Sequence, residues 1–260
     1  DYRSSRGLGD VYKRQVDNPP VNPLSDGVRT GLYESLTKAE EDDSVVGVVL
    51  TGNGRAFIAG ADISEFGGNV EGVSLNEVFH KLEHCCKPVV AAINGIALGG
   101  GLETALCCNY RIADNKAFVG LPEVNLGLLP GGGGTQRLPR LAGPSEALKM
   151  MLTGAHVPAK KAFDMGIIDG ISDDVVNESI EFIKNKAESN EDHPKVRDLN
   201  SKMIEARGDD KVLLEAQAMA TKGRKGQFAP GQIIKCVEAA INIDDFDVGL
   251  KKESEYFLEC

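Results

Sequence analysis

Lys87-Pro-Val-Val-Ala-Ala-Ile-Asn-Gly-Ile-Ala-Leu-Gly-Gly-Gly-Leu-Glu-Thr-Ala-Leu106 is the stretch that decides the fold. Pro88 to Ile93 is short and continuously apolar, as expected of a strand covered on both faces. Gly99 to Gly101 then break the chain, and Leu102 to Cys108 has the composition of a helix. Glu103 falls at the start of that helix among apolar residues and glycines. Burying a carboxylate there is expensive unless something uses or satisfies it. Glycines at a helix N-terminus leave N–H groups that can approach a ligand closely, with the positive end of the helix dipole behind them. Such a corner suits an oxyanion.

The same grammar extends both ways. Upstream, Ser25 or Asp26 can cap a helix whose apolar positions are Val28, Leu32, Leu36 and Ala39. Val45 to Thr51 reads as another buried strand, Gly52 to Asp62 as an irregular glycine-rich loop, and Ser74 to Cys86 as a helix. Downstream, Gly131 to Gly134 opens a helix that runs through Arg137. Strands and helices alternate across glycine turns, which predicts an α/β layer architecture. Beyond Gly170 the chain becomes charged and mostly helical, with helices predicted over 212–221 and 232–243.

Glu123 lies twenty positions after Glu103, in a second turn, Gly120-Leu-Pro-Glu-Val-Asn-Leu-Gly127. Taken singly, either glutamate is more often a structural hydrogen-bonder than a catalyst. The glycine triplet alone is weaker still, because glycine clusters are common in tight turns.

Together these pieces resemble the crotonase, or enoyl-CoA hydratase/isomerase, family, over about Val16 to Ile171. Four segments coincide in order: Arg55-Ala-Phe-Ile-Ala-Gly-Ala-Asp-Ile63, Lys87 to Glu103, Leu121-Pro-Glu-Val-Asn-Leu-Gly-Leu-Leu-Pro130 with Gly131 to Arg137, and Leu152-Thr-Gly154 with Gly166-Ile-Ile-Asp169. The resemblance implies a spiral of ββα units with a C-terminal helical region, in a family that usually forms trimers. It implies an enzyme of fatty-acid β-oxidation that hydrates 2-enoyl-CoA thioesters to 3-hydroxyacyl-CoA. The backbone N–H groups of Ala61 and Gly100 would form the oxyanion hole, and Ala59, Gly60, Asp62 and Ile63 would line the coenzyme A along their backbone. Glu103 and Glu123 would flank one water, the first taking its proton and the second delivering a proton to Cα. Relatives that only shift a double bond usually lack the acid matching Glu103, so having both favours hydratase over a Δ3-Δ2 isomerase. No cofactor is implied beyond the coenzyme A of the substrate, and no metal.

Phe57 to Phe66, Val119 to Pro130 and Phe246 to Cys260 look most like the N-terminal hydratase part of bifunctional hydratase/3-hydroxyacyl-CoA dehydrogenases. The expected partners are therefore an acyl-CoA substrate and either further copies of the chain or a fused dehydrogenase domain. No strand–GxGxxG–helix unit for such a dehydrogenase occurs here. The expected location is cytoplasmic, or peroxisomal in a eukaryote. Residues 1–15 lack hydrophobic periodicity, and Asp10-Val-Tyr-Lys-Arg-Gln15 resembles a translated sequencing-library adapter. They are read as a scar or disordered tail outside the fold, followed by a core over 16–185 and a truncated helical appendage over 186–260.

Composition narrows the field. A formal net charge of −10 and the lack of a Lys/Arg-rich helix argue against a non-enzymatic RNA-binding relative. No stretch approaches the ~20-residue apolar run of a membrane helix. The six cysteines suit neither a disulfide framework nor a zinc knuckle, and the adjacent pairs Cys85-Cys86 and Cys107-Cys108 read as buried small hydrophobes. His80-Lys-Leu-Glu-His84 matches an H-x-x-E-H zinc string, but the apolar stripe Leu75, Val78, Phe79, Leu82 and Cys86 turns both histidines to solvent.

Overall fold

A computed structural model of the chain describes residues 2–3, 11–62, 65, 72–189 and 192–260. Strands β1 (Tyr2–Arg3) and β2 (Val11–Val16) precede helix α1 (Asp26–Glu41), which begins after Ser25 and buries Leu32, Leu36 and Ala39. One unit then repeats. β3 (Gly47–Gly52) and β4 (Ala56–Ala59) lead into α2 (Leu75–Glu83). β5 (Val89–Ile93) and β6 (Ile96–Leu98) lead into α3 (Gly100–Cys107). β7 (Tyr110–Asp114) and β8 (Phe118–Gly120) lead, through a 3-10 turn at Glu123–Leu126, into α4 (Gly134–Ala142). After these come α5 (Pro144–Thr153), β9 (Val157–Pro158), α6 (Ala159–Asp164), β10 (Gly170–Ser172) and α7 (Val175–Glu188). The chain finishes with α8 (Ser201–Ala206), α9 (Asp210–Gly223), α10 (Ala229–Asn242) and α11 (Phe246–Leu258).

The first strand of each pair joins a sheet ordered β1-β2-β3-β5-β7-β10, and the second joins a sheet ordered β4-β6-β8-β9. β3, β5 and β7 pair in parallel, as do β4, β6 and β8. The chain thus advances one place in both sheets at every turn, which is the expected spiral of ββα units. Strands covered on both faces explain why β3 and β5 are buried at every position.

Four expectations meet a different structure. Residues 11–15, placed outside the fold by their polarity, form most of β2, parallel to β3 from Val11↔Gly47 to Val16↔Gly52. The edge of β3 offers a row of N–H and C=O groups that a neighbour satisfies, and this need outweighs the charged composition. The Gly52–Asp62 loop contains β4, because Ala56, Phe57 and Ile58 are fully buried where they pair with β6. The helix expected to reach Cys86 ends at Glu83, leaving Cys86 exposed and Cys85 partly buried, whereas Cys107 and Cys108 are buried as expected. A boundary at 185/186 would cut through α7. Met203, Ala216, Ile233, Cys236 and Val237 share one apolar cluster with Leu102, Leu121 and Leu138, so the C-terminal helices complete the same core.

Both histidines of the zinc string are exposed, with rings stacked at 4.1 Å between centroids. Glu83 between them turns the other way and is buried against Arg137. The three side chains do not converge. Among the described residues, no helix is long and apolar enough to cross a membrane.

Candidate active site

The glycine corner builds the site. Gly99, at φ 54°, caps α3 from the left-handed region, which an L side chain rarely adopts. A methyl group on Gly101 would lie 1.9 Å from the Ile58 carbonyl oxygen, so only glycine lets α3 rest directly on β4. That contact brings the start of the helix against the Ala59–Asp62 segment. A methyl group on Gly100 would stand 3.3 Å from the Ala61 nitrogen. Gly100, as the first residue of α3, carries one of the N–H groups without an acceptor inside the helix. Ala61 forms a one-residue bridge with Leu24, and Leu24 N–H donates to Gly60 O at 2.9 Å. Ala59 N–H donates to Val21 O at 3.1 Å, and Glu65 N–H to Asp62 O at 3.2 Å. Ile63 lies outside the described residues.

Glu103, 3% exposed, faces the second glycine cluster. Its Oε1 accepts from Gly132 N–H and Gly134 N–H, both at 2.8 Å. Glu123 opens the 3-10 turn, which ends at Gly127 with φ 78° and ties back through Leu128 N–H to Glu123 O at 3.1 Å. As a residue Glu123 is half-buried, but its Oε2 is enclosed and has no hydrogen-bond partner among the described residues. A methyl group on Gly99 would sit 2.9 Å from Glu123 Oε1, so this carboxyl lies at the same corner as Gly100 and Ala61.

Burial raises both carboxyls above the ordinary range. For Glu103 the Gly134 and Gly132 N–H groups and Arg137 oppose it by favouring the ionised form. For Glu123 the negative charge of Glu103 adds to burial, and its carboxyl is held well above the usual value. Two neighbouring acids whose proton affinities are raised by burial, and in Glu123 also by the charge of Glu103, are equipped to take up and release protons.

Two groups had no signal in the sequence. Arg29 of α1 donates to Leu24 O at 2.8 Å and to Glu65 Oε2 at 2.6 Å, fixing the segment that carries Ala61. Glu253 of α11 is buried against the second glycine cluster and takes N–H groups from Gly133 at 2.7 Å and Thr135 at 3.1 Å. A carboxylate on a charged C-terminal helix looks like any solvent-facing position until the chain closes on itself.

Comparison with known proteins agrees with this geometry. Residues 8–225 match the family model described as enoyl-CoA hydratase/isomerase. The peroxisomal bifunctional enzyme of Homo sapiens is 41% identical over 248 residues, covering 94% of this chain and 34% of that protein. The fatty acid oxidation complex subunit alpha of Shewanella oneidensis is 37% identical over 262 residues, covering 96% of this chain and 37% of the relative. The chain thus spans about a third of the length of these relatives. Among solved structures, an enoyl-CoA hydratase from Bacillus anthracis superposes with a TM-score of 0.65 at 30% identity, covering 99% of this chain and 88% of that one. A monofunctional enoyl CoA isomerase from M. smegmatis gives 0.61 at 31% identity, covering 80% and 92%. The glycine corner, the two sheets and the coverage of the family model agree: this chain belongs to the enoyl-CoA hydratase/isomerase family.

Proposed function

We propose that this chain hydrates 2-enoyl-CoA thioesters to 3-hydroxyacyl-CoA, with Glu103 and Glu123 as its proton-transfer groups. The observation that carries this reading is the pair itself: Glu103 held by two N–H groups, and Glu123 beside it with an enclosed, unpartnered Oε2. The thioester carbonyl oxygen lies against the N–H groups of Ala61 and Gly100, and the coenzyme A follows the backbone of Ala59, Gly60 and Asp62. Glu103 takes a proton from the water as its oxygen bonds to Cβ. The electron pair of the double bond moves towards the thioester oxygen, where each N–H donor is worth roughly 3 kcal/mol in the transition state. Glu123 then gives its proton to Cα, and the carbonyl reforms. Water and enoyl thioester are the only reactants, so no cofactor beyond the substrate's coenzyme A takes part. The relatives named for fatty acid oxidation support placing this reaction in fatty-acid degradation. They are longer chains, which supports the reading of this one as the hydratase part of a fusion with a dehydrogenase.

The test is turnover of a short 2-enoyl-CoA by E103Q and E123Q. Each keeps the shape and removes proton transfer, so each lowers kcat on the order of 10²–10⁴-fold. The double variant loses much less than the product of the two, because the pair acts on one water. E103Q hydrating at the normal rate would refute the mechanism. A chain that does not hydrate, yet whose E103Q variant shifts Δ3 double bonds to Δ2, would be an isomerase.

A further inference from the structure

Four consecutive N–H groups at the start of α4 are divided between two carboxylates. Gly132 and Gly134 donate to Glu103, while Gly133 and Thr135 donate to Glu253. The Thr135 hydroxyl also donates to Glu253 Oε2. Because adjacent peptide planes share atoms, the bonds to Glu253 set the direction of the N–H groups that hold Glu103. Helix α11 is seated closely enough to enforce this. A methyl group on its Gly249 would lie 2.5 Å from Gln136 Oε1, and one on Gly131 would lie 2.6 Å from Phe257.

We infer that Glu253 is a positioning residue for the hydration reaction, aiming the Gly132 and Gly134 N–H groups at Glu103. This rests on the assignment of Glu103 as the group that takes the proton from water. Through it, docking of the last helix becomes a condition for an ionised, correctly directed base. Ionisable groups around this cluster include Glu123, the Arg137–Glu83 pair with Arg197 and Asp247, His80 and Lys251 along the same cavity, and the thiols of Cys107 and Cys236.

The experiment compares E253A and E253Q in the full 260-residue chain, measuring kcat and KM for a short 2-enoyl-CoA across pH. Both variants remove the same ionisable group, so their difference does not arise from the loss of its charge. The amide oxygen introduced by E253Q still accepts from Gly133, whereas the methyl group left by E253A accepts nothing. The expected result is a kcat for E253A about tenfold below that of E253Q, with KM within about twofold. The acid limb of the kcat profile of E253A also lies at higher pH, because Glu103 has lost well-directed donors that favour its ionised form. Equal kcat values and coincident acid limbs in the two variants would overturn the inference, as would a loss confined to KM. If E253A does not fold, T135V carries the test: it removes the hydroxyl donor to Glu253, while Gln136 Nε2, which also donates to that hydroxyl, keeps its bond to Cys236 O. It should lower kcat about threefold with KM unchanged, and an unchanged kcat overturns the inference. E103Q in parallel separates the two claims: normal hydration by E103Q removes the mechanism itself. An inactive E103Q with indistinguishable E253A and E253Q removes only the role of Glu253.

Discussion

At the scale of the residue, this site is a problem of three acids in one buried volume. Glu253 is pushed up to about 8 by burial and then by the charge of Glu103, against the pull of Thr135, Gly133 and Arg137. Glu103 and Glu123 move the same way. A carboxyl with a raised folded-state value binds its proton more tightly in the folded than in the unfolded chain. Its favourable contribution is therefore complete below about 4.5 and is lost as pH rises through about 8. Urea midpoints should accordingly fall between about pH 5 and pH 8, and E253Q should flatten that fall. An equally steep decline in E253Q would mean that Glu253 does not titrate in this window. The same directions shape catalysis. Hydration needs one acid ionised and one protonated, so kcat/KM should be bell-shaped with both limbs above the ordinary carboxylate value. The two apparent values belong to the pair and not to either residue.

At the scale of the element, close packing makes demands that single substitutions expose. Gly101→Ala would place a methyl 1.9 Å from the Ile58 carbonyl oxygen and lift α3 from β4. Overpacking of this kind costs about 1–3 kcal/mol, and hydration should suffer as well because Gly100 moves away from Ala61. Denaturant unfolding and steady-state rates measure both effects, and wild-type values in both would contradict the packing described. Arg14 of β2 reaches beneath α1, where Leu32, Leu36, Val48 and Leu50 line the space, and its Nε is enclosed without a partner among the described residues. A buried unsatisfied donor costs about 1–3 kcal/mol. Arg14→Leu should therefore stabilise the chain and raise Tm by about 2–4 °C per kcal/mol recovered. A lower Tm would mean that the guanidinium is better satisfied than its surroundings indicate.

At the scale of the whole molecule, the C-terminal helices and the ββα spiral are one body. α8, α9 and α10 contribute to the same apolar cluster as α3 and α4. Charged ties run alongside: Glu83 of α2 is bound by Arg137 of α4 and by Arg197, which also reaches Asp247 of α11. Cutting a shared core leaves neither part with a closed surface, so thermal unfolding should be a single transition. Calorimetric and van't Hoff enthalpies should agree. Two separable transitions would show that residues 186–260 fold as a unit of their own.

The division between sequence and structure follows sequence separation. Much that is local was legible in the chain: the buried strands at 47–52 and 89–93, the helix start at Ser25–Asp26, and the glycine break before α3. So were the two glutamates in unusually apolar turns, because backbone preference and hydrophobic pattern act over a few residues. Among the elements missed in the sequence, β2 and β4 are strands whose partners rather than composition make them strands. Tertiary structure alone decided what satisfies the acids. Glu103 is held by glycines 29 and 31 positions away, and Glu253 by a glycine 120 positions away. A hydrogen bond over that distance leaves no periodicity and no spacing to read. It exists only because α11 folds back over α4, and that closure is driven by apolar burial spread over the whole chain.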